Sequence, residues 1–192
     1  MHTKRSRTVA VIALLLLTLG AAQPPPRPGD EGVFYGPLVR VKDGDSLVVK
    51  VQGVAMDFRL AEIDAPELDQ PYGEQAKRDL KSLAQGQQLV IVPVDTDGYG
   101  RTVAHIWNGD SYLNAEMVKR GAAWFYPKYA RTEVLYYVEQ EARDAKRGLW
   151  ALPPKDHVEP WEWRKRKRAR NCRCSGQSDP EESSQQGEAS WP

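Results

Sequence analysis

The stretch that most limits the fold is PLVRVKDGDSLVVKVQGVAMDFRLA, residues 37–61. Three runs rich in β-branched and apolar residues are separated by two glycine-containing turns. Asp-Gly between two such runs is a strong hairpin signal. The pattern predicts strands over 37–42, 46–51 and 54–61, with Gln52-Gly53 as the second turn. The first turn, DGDS at 43–46, also sets two carboxylates two residues apart ahead of a hydroxyl. On those four residues alone, a simple chain reversal and a cation site are equally open.

The pattern then changes period. In GEQAKRDLKSLA (73–84), Ala76, Leu80, Leu83 and Ala84 recur at helical spacing. QLVIVPV (88–94) reads as a buried strand. RTVAHIW (101–107) reads as another, closed by Asn108-Gly109. A short helix follows, with Ser111 as its expected N-cap and Gly121 beyond its end. A third helix is expected over about 133–146, with Leu135, Val138, Ala142 and Ala145 on one face and Gly148 stopping it. Five turn-bounded strands with one helix after the third and two more at the end predict an α+β domain built on a small barrel.

The ends differ in composition. Lys4, Arg5 and Arg7 precede an apolar run (9–22) that ends in small residues and is shorter than the ~20 residues needed to cross a bilayer. Residues 1–22 are therefore expected to be a secretory signal peptide, with an uncleaved anchor as the alternative. A Pro/Gly-rich linker is expected over 23–35, a folded domain over 36–151, and a flexible tail over 152–192, basic at first and then polar and acidic. The localisation expected from this layout is secreted or periplasmic, without stable membrane insertion.

Net charge is +1 for the whole chain, and residues 36–151 carry 15 Lys/Arg against 17 Asp/Glu. That balance argues against a generic basic nucleic-acid binder. The positive charge is concentrated in RKRKRAR (164–170), either a solvated run or a phosphate-binding segment. Both cysteines, Cys172 and Cys174, lie in the tail, so no disulfide framework holds the domain. Free thiols and a bridge between chains are both consistent with their spacing.

The chemistry-bearing residues sit at strand ends. Asp43 and Asp45 lie in the first turn, Arg59 late in the third strand, and Asp64 and Glu67 in the following EIDAPELD. Arg101 begins the fifth strand after DTDGYG. A hard cation such as Ca²⁺ takes oxygen ligands. Asp45 and Asp64 offer two, a backbone carbonyl a third, and water the rest. Two guanidinium groups suit a phosphate, and Glu67 suits water activation. Those are the parts of phosphodiester hydrolysis. Each signal alone has a plainer reading: the Asp-Gly as a turn, Asp64–Glu67 as a helix entry, the arginines as surface ion pairs of little energy. Only His105 and His157 lie outside the leader, which disfavours a paired-histidine mechanism. His105, in an apolar strand, is expected to be structural.

VKDGDSLVV, FRLAEIDAPE and DGYGRTVAHI, in that order, followed by a helix with Asn114 and a closing GLW (148–150), resemble the staphylococcal nuclease family over about 115 residues. The resemblance implies an OB-type five-stranded β-barrel with about three α-helices. It also implies a secreted, Ca²⁺-dependent endonuclease acting on DNA and RNA with little sequence preference, leaving 3′-phosphates. Mg²⁺ and Mn²⁺ are alternative cations, and a monomer is expected. By position, Asp45 and Asp64 are similar to the family's metal carboxylates, Ala65 to a backbone-carbonyl ligand, and Asp43 to an outer position reached through water. Arg59 and Arg101 are similar to the catalytic arginines, Glu67 to the general base, and Tyr99 to a tyrosine near the nucleotide phosphate. Tyr126 and Tyr129 are candidates for base stacking, while Trp124 and Phe125 fit the core equally well. The chain departs from the family pattern at Ala65, where the best-known member has Thr, and at Gly98, where a basic residue is common. Two other readings stand beside the enzyme: a barrel that binds nucleic acid without cutting it, and an interaction protein acting through its tail.

Overall fold

A computed structural model describes residues 26–27, 29–130 and 133–175, with side chains as far as Cys172. The expected signal peptide, the end of the tail and the side chain of Cys174 lie outside the described residues. The strands are β1 (Phe34–Gly36), β2 (Leu38–Val41), β3 (Ser46–Val51), β4 (Val54–Leu60), β5 (Ile63–Asp64), β6 (Leu89–Thr96), β7 (Thr102–Asn108), β8 (Ser111–Tyr112) and β9 (Trp124–Phe125). The helices are α1 (Gly73–Ala84), α2 (Leu113–Lys119), α3 (Val134–Asp144) and α4 (Pro160–Ser175).

The first three predicted strands fold as the hairpin pattern requires. β2 pairs antiparallel with β3, and β3 with β4. β4 then pairs with β7 in parallel, Phe58 opposite Thr102 and Leu60 opposite Ala104. β6 pairs antiparallel with β7 and carries β1 on its other side. The sheet has seven strands in the order β1-β6-β7-β4-β3-β2, with β8 added beside β7, and β5 and β9 form a separate ribbon. The expectation of five strands is thus extended by short ones, β1 straddling the end of the expected linker. The chain from Phe34 to Val41 serves both edges: its first half pairs with β6 and its second with β3, the Lys50 N–H donating to the Pro37 carbonyl at 3.0 Å. The sheet curls round through this stretch, within the α+β architecture that the sequence predicts.

The concave side is filled by alternating residues of β3 and β4, Leu47, Val49, Phe58 and Leu60, all essentially without exposure. Helix α1 contributes Ala76, Leu80 and Ala84, one per turn, as the 3.6-residue period demands. α2 begins at Leu113, so Ser111 lies in β8 and is not the N-cap; Tyr112 stands there, without a side-chain cap. The anchor of α2 is Asn114, fully buried. Its amide donates to the carbonyls of Ala61 (3.0 Å) and Ala104 (3.2 Å), and its side-chain oxygen accepts from the Ile106 N–H (3.1 Å). These bonds tie α2 to the parallel β4–β7 junction. A second cluster, Trp124, Ala142, Leu149 and Trp150, joins β9 to α3 and the GLW segment, so Trp124 is core.

The tail differs from expectation over residues 160–175, which form α4. It has a basic, weakly amphipathic sequence and is held instead by its first turns. The Trp161 ring lies parallel to that of Tyr126, 4.9 Å between centroids and 8° apart in plane, and meets Trp124 edge-on at 6.3 Å. Gln70 donates to the Val158 carbonyl (2.6 Å), Trp163 Nε1 to Asp69 (3.3 Å), and Lys167 pairs with Asp69 (2.7 Å). The described residues contain four α-helices, one more than the expected three or so.

Candidate active site

The DGDS turn, the β4–β5 junction and the loop before α1 meet on one side of the sheet. Gly44 shows why the turn has the sequence it has. Its φ is not in the left-handed region. A Cβ there would instead stand 2.6 Å from the Ala65 Cβ and 2.8 Å from the Ala76 Cβ. The glycine is required by space: it lets the turn lie on α1 and on the residue after Asp64. Gly73 does the same at the other end, since a Cβ on it would strike the Glu67 carbonyl. The start of α1 is thereby seated on the Glu67 loop.

Asp45 and Asp64 are both buried, 4% and 0% exposed, and Arg59 spans them. Its Nη1 donates to Asp45 Oδ1 at 2.9 Å and its Nη2 to Asp64 Oδ1 at 2.7 Å. Asp45 also accepts from Ser46 Oγ (2.8 Å) and from the Ala65 N–H (3.1 Å). Burial alone would raise its pKa, but the Arg59 charge and these donors hold it below the usual carboxylate value. Asp64 is pushed up by burial and by the Asp45 charge, against the arginines facing it. Asp43 accepts the Asp45 N–H at 3.1 Å, closing the turn; burial, then the Asp45 charge, raise it to about 6.

Arg101 is set by the 97–101 turn. Asp97 accepts its Nε at 2.7 Å and the N–H groups of Tyr99 and Arg101 at 2.9 and 3.0 Å. The Arg101 Nη1 donates to Ser46 Oγ at 3.0 Å, so β7 and the DGDS turn are joined through the same hydroxyl that touches Asp45. Tyr99 is 88% exposed, its ring 5.6 Å below the Arg101 guanidinium.

Asp43, Asp45, Arg59, Asp97, Tyr99 and Arg101 line one cavity of about 940 Å³, together with Ala65, Glu67, His105, Tyr126, Tyr129 and Arg164; Asp64 lies behind this wall, bonded to Arg59 and Arg164. The structure brings together every candidate site residue read from the sequence. Tyr126 and Tyr129 meet edge-on at 5.1 Å, and Tyr126 has its other contact in Trp161. His105 Nδ1 is 2.6 Å from the Tyr112 hydroxyl.

Arg164 was not legible as a site residue. Its Nη2 donates to Asp64 Oδ2 at 2.6 Å, and its Nη1 to Asp64 Oδ1 at 3.1 Å and to Glu67 Oε1 at 2.7 Å. The basic run marked it as one of six similar charges; only the docking of α4 singles it out.

Oxygen donors alone, two of them buried carboxylates at one point, suit a hard divalent cation. Among the described residues no three Asp, Glu, His or Cys side chains converge as a metal cluster. Asp45 and Asp64, joined through Arg59, are the two buried carboxylates on offer there.

Comparison with known proteins gives the chain its family. Residues 57–152 match the family described as staphylococcal nuclease homologue. The chain is 41% identical over 135 residues to a protein of Escherichia coli O157:H7 described as an uncharacterized endonuclease, covering 70% of this chain and 87% of that one. It is 37% identical over 143 residues to a micrococcal nuclease of Shigella flexneri, covering 69% and 81%. A probable staphylococcal-like nuclease of Oryza sativa subsp. japonica is 41% identical over 113 residues, 58% of this chain and 33% of the rice protein. The chain belongs to the staphylococcal nuclease family. It is an α+β nuclease, a hydrolase of nucleic acids.

Proposed function

We propose that this nuclease is a cation-dependent endonuclease of DNA and RNA with little sequence preference, working at the Asp45–Asp64–Glu67 cluster. The observation that carries the reading is the pair of buried carboxylates bridged by Arg59, beside an accessible Glu67 and a second anchored arginine. Ca²⁺ is the preferred cation, with Mg²⁺ and Mn²⁺ as alternatives. When bound, it supplies positive charge beside the scissile phosphate.

The chain's own groups do the rest. Asp45 and Asp64 are held with their oxygens at one point by Arg59, Ser46 and the Ala65 N–H, and the Ala65 carbonyl completes the protein ligands. Asp43 acts at one remove, through water and through the turn. Glu67, 38% exposed at its side chain, takes a proton from the attacking water. Arg59 and Arg101 donate to the phosphate oxygens as charge builds on them. Arg101 is suited to this by the Asp97 grip, which fixes the guanidinium before substrate arrives. Tyr99, with Tyr126 and Tyr129, provides ring surface for the nucleotide, and stacking on rings tolerates any base, which fits low sequence preference. Cleavage leaves 3′-phosphates on this reading. The leader composition favours a secreted or periplasmic protein; a monomer is part of the same proposal. Among the described residues no helix is long and apolar enough to cross a membrane.

The test is digestion of plasmid and single-stranded oligonucleotide with Ca²⁺, Mg²⁺, Mn²⁺ or EDTA. Cleavage is expected with Ca²⁺ and is expected to stop in EDTA. No cleavage in any metal would favour the non-catalytic binding barrel instead.

A further inference from the structure

Two carboxylates in the site have separate tasks in the proposed reaction: Asp64 holds the cation and Glu67 activates water. A single guanidinium, from a helix more than ninety residues away in sequence, engages both. Asp64 meets Arg164 with both its oxygens, and its Oδ1 also accepts from Arg59. The pairing is half shielded from water, Arg164 being 32% exposed at its side chain and Asp64 0%. Arg59 leaves Asp64 Oδ2 open, and it is Arg164 that commits this second oxygen to an N–H donor rather than to a cation. Glu67 Oε1 is taken up by the same guanidinium at 2.7 Å. The same helix covers one face of Tyr126 with Trp161. One element thus obstructs a cation ligand, the base and a candidate stacking surface.

We propose that Arg164 is a built-in counter-ion of the cation site: α4 seats it on Asp64 and Glu67 when the site is empty of metal, and the divalent cation must displace it to load. Guanidinium and cation compete for the same oxygens, so the apparent cation affinity is the intrinsic one reduced by the Arg164 contact. The helix need not unfold for the exchange. The Trp161 stack, the Gln70–Val158 bond and the Lys167–Asp69 pair hold its first turns, and only the Arg164 side chain has to swing away. The device rests on the cation reading above.

The test is calorimetric titration of Ca²⁺ into the full chain, comparing wild type with Arg164→Ala and Arg164→Gln at low ionic strength. Arg168→Ala is the control: it removes the same charge from an exposed position on the same helix. Arg164→Ala and Arg164→Gln should each bind Ca²⁺ at least ~10-fold tighter, the scale of losing one close charge from the site. Arg168→Ala should shift the affinity less than about twofold, as an exposed charge screened by salt does. The rise in Tm caused by saturating Ca²⁺ should also be larger in the Arg164 variants than in wild type. Equal affinity in wild type and the Arg164 variants overturns the device and leaves the cation site standing. An equal gain in Arg168→Ala overturns it in favour of long-range charge. Weaker binding on loss of Arg164, or a raised KM for DNA with unchanged Ca²⁺ affinity, overturns it in favour of a phosphate-contacting arginine. Absence of Ca²⁺ binding in every variant removes the cation reading together with the device.

Discussion

Asp43 and Asp45 stand two residues apart in one turn, but the fold gives them different surroundings. Asp45 faces Arg59, Ser46 and the Ala65 N–H; Asp43 faces back along its own turn to the Asp45 N–H. Charge on Asp45 is well accommodated, whereas Asp43 is pushed up to about 6 by burial and its neighbour. Asp45→Ala is therefore expected to cost far more activity than Asp43→Ala in a Ca²⁺-supported digestion of single-stranded DNA. The opposite ranking would mean that Asp43 is the direct ligand. Gly44, between them, reads in the sequence as a turn residue, and it is one. Its necessity has another cause, the approach of Ala65 and Ala76, which pattern reading does not reveal because both partners are distant in sequence. Asn114 is similar: the sequence marks it only through the family resemblance, and the parallel β4–β7 pairing is what brings three backbone groups to it. Leaving such groups unpaired costs on the order of 1–3 kcal/mol each, so this amide holds α2 in place.

At the scale of elements, strands β2, β3, β4, β6 and β7 and helices α1 and α3 follow directly from period and punctuation, because their core faces repeat every two or every 3.6 residues. The short strands β5, β8 and β9 have no period to detect; each is two residues long and exists because the neighbouring backbone needs partners. Helix α4 was illegible for a related reason. Its sequence is charged nearly all round, and its place is set by Trp161 and Trp163 rather than by an apolar stripe. The 97–101 turn is an element whose stability depends on pH. Burial would raise Asp97, but the Arg101 and Tyr99 donors outweigh it and hold the carboxyl below 3.8. A lowered pKa stabilises the fold above the ordinary carboxylate value and loses that stabilisation as the pH falls through the native one. Asp97→Asn should consequently lower Tm at pH 7, and the gap to wild type should close at pH values below 3.8. Thermal melts across that range check the sign; a gap that widens on acidification would contradict it.

At the scale of the whole molecule, a domain of balanced charge carries its positive potential on one appended helix. Lys165, Arg166, Arg168 and Arg170 follow along the helix that brings Arg164 to the cavity wall. A polyanion reaching the site meets this helix, and each phosphate it neutralises lowers the slope of log affinity against log salt by about 0.7 for a single strand. Binding of single-stranded DNA in EDTA should accordingly depend less on salt in a chain ending at residue 159 than in the full chain. Equal slopes would assign the helix no part in substrate attraction. The ordered combination of motifs was legible in the sequence because each lies at a strand end whose position the hydrophobic pattern determines. The closure of the site by α4 was not, because it depends on contacts between residues separated by about a hundred positions.

The central claim is that Glu67 activates the attacking water at a site assembled by Asp45, Asp64, Arg59 and Arg101. The measurement closest to it is the single-turnover rate of Glu67→Gln on single-stranded DNA at saturating Ca²⁺, with Tm recorded alongside. A fall of at least ~10²-fold with Tm little changed is the expected result, the loss associated with removing a general base. A rate near that of wild type would contradict it.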